Sequence, residues 1–330
     1  MHVSRDLLLA AIIVVLLVAI ATISPAFVAP GNLVTLFNDN AILIMVALGQ
    51  MTVILTKCID LSVGANVALT GVLVSLLNAH APGVPIPLIM LLAAFIGLAL
   101  GAFNGMLVWL VRIPPIVVTL GTLSIYRGLA FIASNGTSIV AKEMSPAFIA
   151  WPRFPIAGLP LMSWFAVVVV IVFAVLLRYT RIGRAFFATG GNPVAAVYTG
   201  INVGRTQFIA FCVSGTIAGF CGYLWASRYT IAYVDIAGGF ELDVIAACVI
   251  GGVSISGGIG TVAGAVLGAL FLGVVKNALP VIHVSPFWQL AISGAAILGA
   301  VVINAIRENR RPSRLILKEA VAAVTLSVTS

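Results

Sequence analysis

Apolar stretches separated by short polar breaks run the length of this chain. Ten stand out, at residues 7–23, 41–56, 61–79, 85–111, 116–133, 161–177, 206–226, 241–254, 261–282 and 286–306. An α-helix crosses the hydrocarbon core of a bilayer with ~20 apolar residues. The pattern predicts an all-α polytopic membrane protein of about ten transmembrane helices. Stretches that carry glycine or polar breaks are expected to be wrapped by protein, because lipid-exposed irregular backbone is not tolerated.

Composition sharpens this picture. Of 330 residues, 62% are hydrophobic and 8% charged, against roughly 45–50% and about 25% in a soluble domain. So few charges cannot clothe a soluble fold of this size. A soluble enzyme, a DNA-binding domain and a disordered regulator are excluded.

The basic residues set the expected orientation. With the N-terminus in the cytoplasm, ten spans leave Arg5, Lys57, Arg112, Arg178, Arg181, Arg184, Arg205, Arg307, Arg310, Arg311, Arg314 and Lys318 inside. Lys142, Arg153, Arg228 and Lys276 fall outside, and Arg127 falls within or near the fifth span. Both termini are therefore expected in the cytoplasm. Residues 1–306 form a single transmembrane domain and residues 307–330 a basic cytoplasmic tail. The net charge of +8 reads as topology and lipid contact, with no nucleic-acid partner. The first stretch reads as a retained span, since its leading charge is weak and Pro25 follows the small residues that a cleavage site would need.

Several chemistries are not encoded. Lys57, Lys142, Lys276 and Lys318 follow Thr56, Ala141, Val275 and Leu317. None sits in the Gly-Lys-Ser/Thr of a phosphate-binding loop, so ATP hydrolysis is not expected of this chain. His2, His80 and His283 lack metal-ligand spacing. Cys58, Cys212, Cys221 and Cys248 form no Cys-x-x-Cys pair and read as small buried hydrophobes. No cofactor and no metal are expected.

Three polar or glycine-rich segments carry information. Residues 178–205 read RYTRIGRAFFATGGNPVAAVYTGINVGR. Asn192 suits an N-cap and Pro193 the first helical turn, with residues 194–199 as a short helix and Gly200 as its left-handed end. Gly190 and Gly191 give a flexible approach to that cap, and Ala195 and Ala196 allow close contact with a partner. The segment is either a simple connector or a docking helix for a cytoplasmic motor. Next, residues 57–66 place Asp60 beside a membrane boundary, where a charge needs a partner or solvent. Lys57 is the candidate partner. Asp60 and Ser62 are either caps of the next helix or an ion-coupling site. Finally, residues 251–260 are glycine-rich and suggest a tight turn, while Gly260, Gly264 and Gly268 would bare one helix face for close packing.

Weaker signals complete the inventory. Thr119, Thr122 and Tyr126 either line a polar path or bond back to their own helix. Arg228, Asp235, Glu241 and Asp243 flank an outer loop, either docking an external protein or simply solvated. Two halves around residues 178–205 suggest pseudo-symmetry, as in many transporters.

The runs ILTKCIDLSVGA, IPPIVVTLGTLSIYRGLA, ATGGNPVAAVYTGI and FELDVIAACVIGGVSISGGIGTVAGAVLGA closely resemble the membrane permeases of bacterial ribose/xylose/arabinose-type ABC importers. The resemblance extends from about residue 32 to residue 306. Lys57-Cys58 stands where the family usually has two glycines. That departure, with INVGRTQFIAF and RYTIAYVDIAGGFELD, looks most like permeases for rhamnose. The resemblance implies a multi-pass permease of the bacterial inner membrane, paired with a second copy or a related permease. It implies two further partners, a cytoplasmic ATP-binding subunit and a periplasmic sugar-binding protein. On this resemblance Gly190, Gly191, Asn192, Ala195, Ala196 and Gly200 would form the ATPase-coupling loop, and Asp60, Ser62 and Gly64 the signature turn. A neutral sugar needs hydrogen-bonding groups along its way, for which Asn38, Gln50, Asn66, Asn104 and Thr122 are the candidates. Delivery by a binding protein demands little intrinsic affinity, so a well-formed sugar site is not required of the permease. The alternatives are an ion-coupled secondary sugar transporter using Asp60, or the same importer class carrying ribose, another pentose or hexose, or an autoinducer-type furanosyl ligand.

Overall fold

The computed structural model describes residues 5–281 and isolated positions between 288 and 302. The expected stretch at 286–306 and the tail at 307–330 lie outside the described residues. Twelve α-helices account for most of the rest. They are α1 (Arg5–Ile23), α2 (Pro30–Leu55), α3 (Val63–His80), α4 (Ile86–Trp109), α5 (Pro115–Ser134), α6 (Pro146–Ala150), α7 (Leu161–Tyr179), α8 (Arg181–Gly191), α9 (Pro193–Tyr198), α10 (Val203–Tyr229), α11 (Phe240–Ile250) and α12 (Val262–Val281). Eight are long and apolar enough to span a bilayer: α1 to α5, α7, α10 and α12. Their starts follow from local chemistry. Proline opens α2 and α5, where its missing N–H is no loss.

The expected span at 241–254 is not a spanning helix. α11 has eleven residues, about 16 Å at 1.5 Å per residue. Gly251 and a left-handed Gly252 end it early. Its apolarity reflects burial inside protein: Val244, Ala246, Ala247, Cys248 and Val249 are all buried.

α10 lies at the centre, against α2, α3 and α4. Glycine makes this approach possible. A Cβ on Gly97 or Gly101 of α4 would run into the backbone of Gly215 or Gly219 on α10, and the converse holds. Gly71 of α3 faces Gly222 of α10 in the same way. Helices in membranes associate through such bare-backbone stripes because lipid offers no hydrophobic drive between them. Gly264 and Gly268 of α12 pack likewise on Gly251 and Ala247, but Gly260 lies in the preceding loop against Met51 and Val253. The expected stripe is therefore two glycines long.

Lys57, Arg112, Arg181, Arg184 and Arg205 stand at helix ends on one face, whereas Arg153 and Arg228 lie on the other. Thr56 accepts from Gln207 Nε2 at 3.2 Å, Trp109 meets Phe208, and Gly190 lies against Leu55 and Gly258. These contacts bring the end of α2, the end of α4, α8 and the start of α10 together. On the opposite face, Asn78 binds Ser145, and Ser227 donates to the carbonyl of Phe148 at 2.8 Å. There the strand Ile139–Val140 also pairs antiparallel with Ile231–Ala232.

Candidate functional site

α3 and α11 run in opposite senses, and their N-terminal ends meet inside the protein. α3 leads away from the basic face to Asn78. α11 leads toward it, so that Arg5 donates to the carbonyl of Val249 at 3.2 Å. At the meeting point Gly64 presses on the carbonyl of Ala237 and the carboxylate of Glu241. Only hydrogen fits there. The paired starts turn two positive dipole ends toward each other, and at α11 the Phe240 and Leu242 N–H groups donate to the carbonyls of Ala237 and Gly239.

The loop before α3 is fixed by a chain of side chains. The Ser62 N–H and hydroxyl both donate to Asp60 Oδ1, at 2.9 and 2.6 Å. Asn104 Nδ2 donates to Ser62 Oγ at 2.8 Å. Tyr126 Oη donates to the carbonyl of Leu100 at 2.8 Å and lies 3.1 Å from Asn104 Oδ1. Thr119 reaches the carbonyl of Ile59 at 3.3 Å. The loop before α3, α4 and α5 are thereby joined through one polar string. Asp60 is 2% exposed. Burial raises its carboxyl to about 6, against the opposing bonds from Ser62. Lys57 is not its partner, for that side chain is exposed on a residue with left-handed backbone. Ser62 stands at the N-cap of α3 but makes no capping bond. The turn is held sideways to α4 and α5.

The candidate path residues divide. Asn104 belongs to this string. Asn66 donates to the carbonyl of Gly97 at 3.3 Å, and Thr122 bonds back to Thr119. Asn38 lies elsewhere, accepting from Ser163 at 3.0 Å. Gln50 is fully buried in α2, with neither end of its amide hydrogen-bonded. The side chains therefore do not form one lined channel.

A cavity of about 690 Å³ opens toward the opposite face. Its floor includes Ala237 and Phe240, the segment that meets Gly64. Its walls carry Asp39, Arg228, Asp243 and Lys276 with Trp225 and Tyr229. Arg228 pairs with Asp39, Lys276 with Asp243 at 2.5 Å, and Arg127 with Asp235 at 2.9 Å. Arg228 and Asp243 are thus paired across the fold, while Asp235 pairs with its side chain still 81% exposed. Asp39 and Lys276 were invisible as site residues because their partners are remote in sequence.

The segment 178–205 forms two helices. Thr180 caps α8, accepting from the Gly183 N–H at 3.1 Å, and Asn192 caps α9, accepting from the Ala195 N–H at 3.1 Å. Gly200 is left-handed as expected, with φ 84°. Gly190 and Gly191 are not a flexible approach: they close α8, and Gly190 is buried against the Leu55 carbonyl and the Gly257-Gly258 backbone. Ala196 is buried and Ala195 exposed. Val194, Val197 and Tyr198 present an exposed apolar face, 66%, 60% and 88% accessible. Beside it a second cavity of about 650 Å³ is lined by Lys57, Trp109, Arg112, Val197 and Gln207.

Residues 32–301 match the family described as the permease component of branched-chain amino acid transport systems. The chain belongs to this family. It is 38% identical to a probable ABC transporter permease protein, y4mJ, of Sinorhizobium fredii, over 93% of this chain and 91% of that protein. It is 35% identical to the autoinducer 2 import permease LsrC of Salmonella typhi, over 88% and 83%. It is also 35% identical to the galactose/methyl galactoside import permease MglC of Escherichia coli, over 91% and 95%. No solved structure matches. The chain is a multi-pass inner-membrane permease subunit of an ABC importer and not itself an enzyme.

Proposed function

We propose that this permease carries a small neutral sugar inward from a periplasmic sugar-binding protein, driven by a cytoplasmic ATP-binding subunit. Its basic face is cytoplasmic, by the positive-inside rule. The observation that carries the reading is the exposed face of Val194, Val197 and Tyr198 on a capped helix at that face. An apolar patch on a water-facing surface marks a protein contact, and a chain without a phosphate-binding loop needs an external motor. Gly190, Gly191, Asn192, Ala195, Ala196 and Gly200 then form one coupling unit. Ala195 touches the motor, Asn192 and Gly200 set the helix ends, and Gly190 and Ala196 seat it on the permease. Asp60, Ser62 and Gly64 hold the start of α3. A second copy or a related permease completes the assembly.

Rhamnose is the first candidate cargo. Its support is the wording of residues 201–211 and 228–243. Relatives named for autoinducer 2, galactose and arabinose import support a carbohydrate cargo. Uptake of labelled rhamnose, galactose, arabinose and ribose by cells with and without the ATPase and binding protein tests both levels. Partner-dependent rhamnose uptake is expected. Uptake of another sugar in its place removes rhamnose, and uptake driven by an ion gradient without partners removes the importer mechanism.

A further inference from the structure

We propose that the outer cavity is a monosaccharide-binding site resident in the permease, resting on the sugar reading above. Four observations converge. The volume, about 690 Å³, accepts one sugar ring together with more than about a dozen waters and lies within the size range of small-molecule sites. The four charged walls, Asp39 with Arg228 and Asp243 with Lys276, keep between 21% and 37% of their side-chain surface exposed. Each carboxylate has about four lone-pair positions, of which one oxygen faces its partner. The remaining positions can accept from sugar hydroxyls, while Asn40 and Asn277, also on the wall, each spend one amide N–H on a carbonyl of their own helix and keep the second. The aromatic side is equally built. Trp225 stands edge-on to Phe240 at 4.7 Å and tilted against Tyr229 at 5.5 Å, so these rings are mutually fixed. Such a wall covers the C–H face of a pyranose or furanose while the polar wall takes its hydroxyls.

Charge balance selects the ligand class. Every acidic side chain around the cavity already has a basic partner, including Asp235 with Arg127. A zwitterionic amino acid would find no uncompensated counter-charge here and would have to share groups that already neutralise one another. A neutral polyol adds hydrogen bonds to pairs that stay intact. The cavity's floor is the Ala237–Phe240 segment that closes on Gly64, so a bound sugar would rest on the meeting point of α3 and α11. The permease is thus more than a neutral conduit for a sugar that its binding protein selects.

The test uses full-length permease copurified with its ATP-binding subunit in lipid nanodiscs. Saturation-transfer NMR is recorded with galactose, arabinose, rhamnose and leucine, alongside cellular uptake of the same four. The expected result is saturable transfer to at least one sugar, strongest on the C–H protons of one ring face, and none to leucine. The paired change D243N with K276Q keeps a hydrogen bond between the two positions while removing both charges. It should weaken binding at least tenfold, as should Tyr229→Ala on the exposed rim. If the paired change blocks copurification, Tyr229→Ala alone carries the test. Normal sugar uptake by the wild type together with absent wild-type binding, or unchanged binding in the variants, overturns this inference and leaves the sugar-importer reading standing. Uptake of leucine and of no sugar overturns that reading and the inference with it.

Discussion

Replacing Asp60 by Asn separates the charge of this buried group from its geometry. Asn retains an Oδ1 acceptor for the two bonds that Ser62 donates at 2.9 and 2.6 Å. It lacks only the ionisation. The Asp60 carboxyl rises from its ordinary 3.8 to about 6 because burial disfavours the anion. A carboxyl raised in this way contributes stability that is complete below 3.8 and lost as pH rises through about 6. The interval between the two values corresponds to ~3 kcal/mol. About 2 kcal/mol of that develops between roughly pH 4.5 and pH 7.5. The assay is thermal unfolding of the nanodisc-embedded protein, followed by intrinsic fluorescence at both pH values. Wild type should lose several degrees relative to the variant on going to the higher pH, and the variant should be the more stable protein there. Ser62→Ala is the contrasting change. It strands the Asn104 amide and takes one donor from Asp60, at ~1–3 kcal/mol for each buried group, so it should destabilise at both pH values. An identical pH response in wild type and D60N would refute the argument. Sugar uptake by D60N should stay near the wild-type rate, whereas a stable variant that has lost uptake would restore Asp60 as an ion-coupling group.

Ala195→Arg should abolish sugar-dependent ATPase activity while leaving insertion intact, because Ala195 is exposed on α9. Ala196→Arg should instead lower the yield of folded permease, since Ala196 is buried on its own chain. Gly101→Val places a side chain against the backbone of Phe211 and Gly215 and should prevent α4 from seating on α10, seen as loss of monodisperse protein in gel filtration. Gly64→Ala should slow uptake at least tenfold with assembly retained, because its Cβ meets the Ala237 carbonyl and the Glu241 carboxylate; uptake at the normal rate would show that this contact is loose during the cycle.

Local chemistry was legible in the sequence and remote pairing was not. The long spans followed from apolar length, and α9 followed from Asn192-Pro193 at its start and Gly200 at its end. α11 misled because a helix buried by protein is as apolar as one buried by lipid, and only Gly251 and Gly252 hint at its early stop. Gly190 read as a hinge because glycine permits both freedom and close approach, and its neighbour Leu55 is far away in sequence. The glycine stripe on α4 is visible as a spacing, but its match on α10 is a tertiary fact. The cavity escaped for the same reason. Asp39 and Arg228 are 189 residues apart, and neither is unusual alone. Residue type marks Asn38 and Gln50 as polar, but type does not tell which face of a helix a side chain occupies.

The contacts between α9 and the buried centre suggest how a motor's push would travel. Packed side chains, hydrogen-bond networks and rigid elements can carry coupling between distant sites. α9 follows α8 directly at Asn192, and α8 ends on Gly190, which touches the Leu55 carbonyl and the Gly257-Gly258 backbone. The Gly258 N–H donates to that same carbonyl at 3.0 Å. From Leu55 the chain runs through Asp60 and Ser62 into α3; from Gly258 it runs into α12. Gly190, Leu55 and Gly258 meet backbone against backbone, with the Lys57 side chain lying against neighbouring Gly257. A movement of α8 would therefore reach both segments together, one leading to the Gly64–Ala237 contact and the other to Lys276 on the cavity wall. This favours opening at the centre and remodelling of the outer cavity as one event. Gly190→Ala tests that order of causes: its Cβ meets the Leu55 carbonyl and the Gly258 N–H, so folded yield should fall, and in the protein that folds sugar-dependent ATPase activity and uptake should drop in proportion. Uptake that falls without any change in stimulated ATPase activity in Gly190→Ala would place the link elsewhere in the fold.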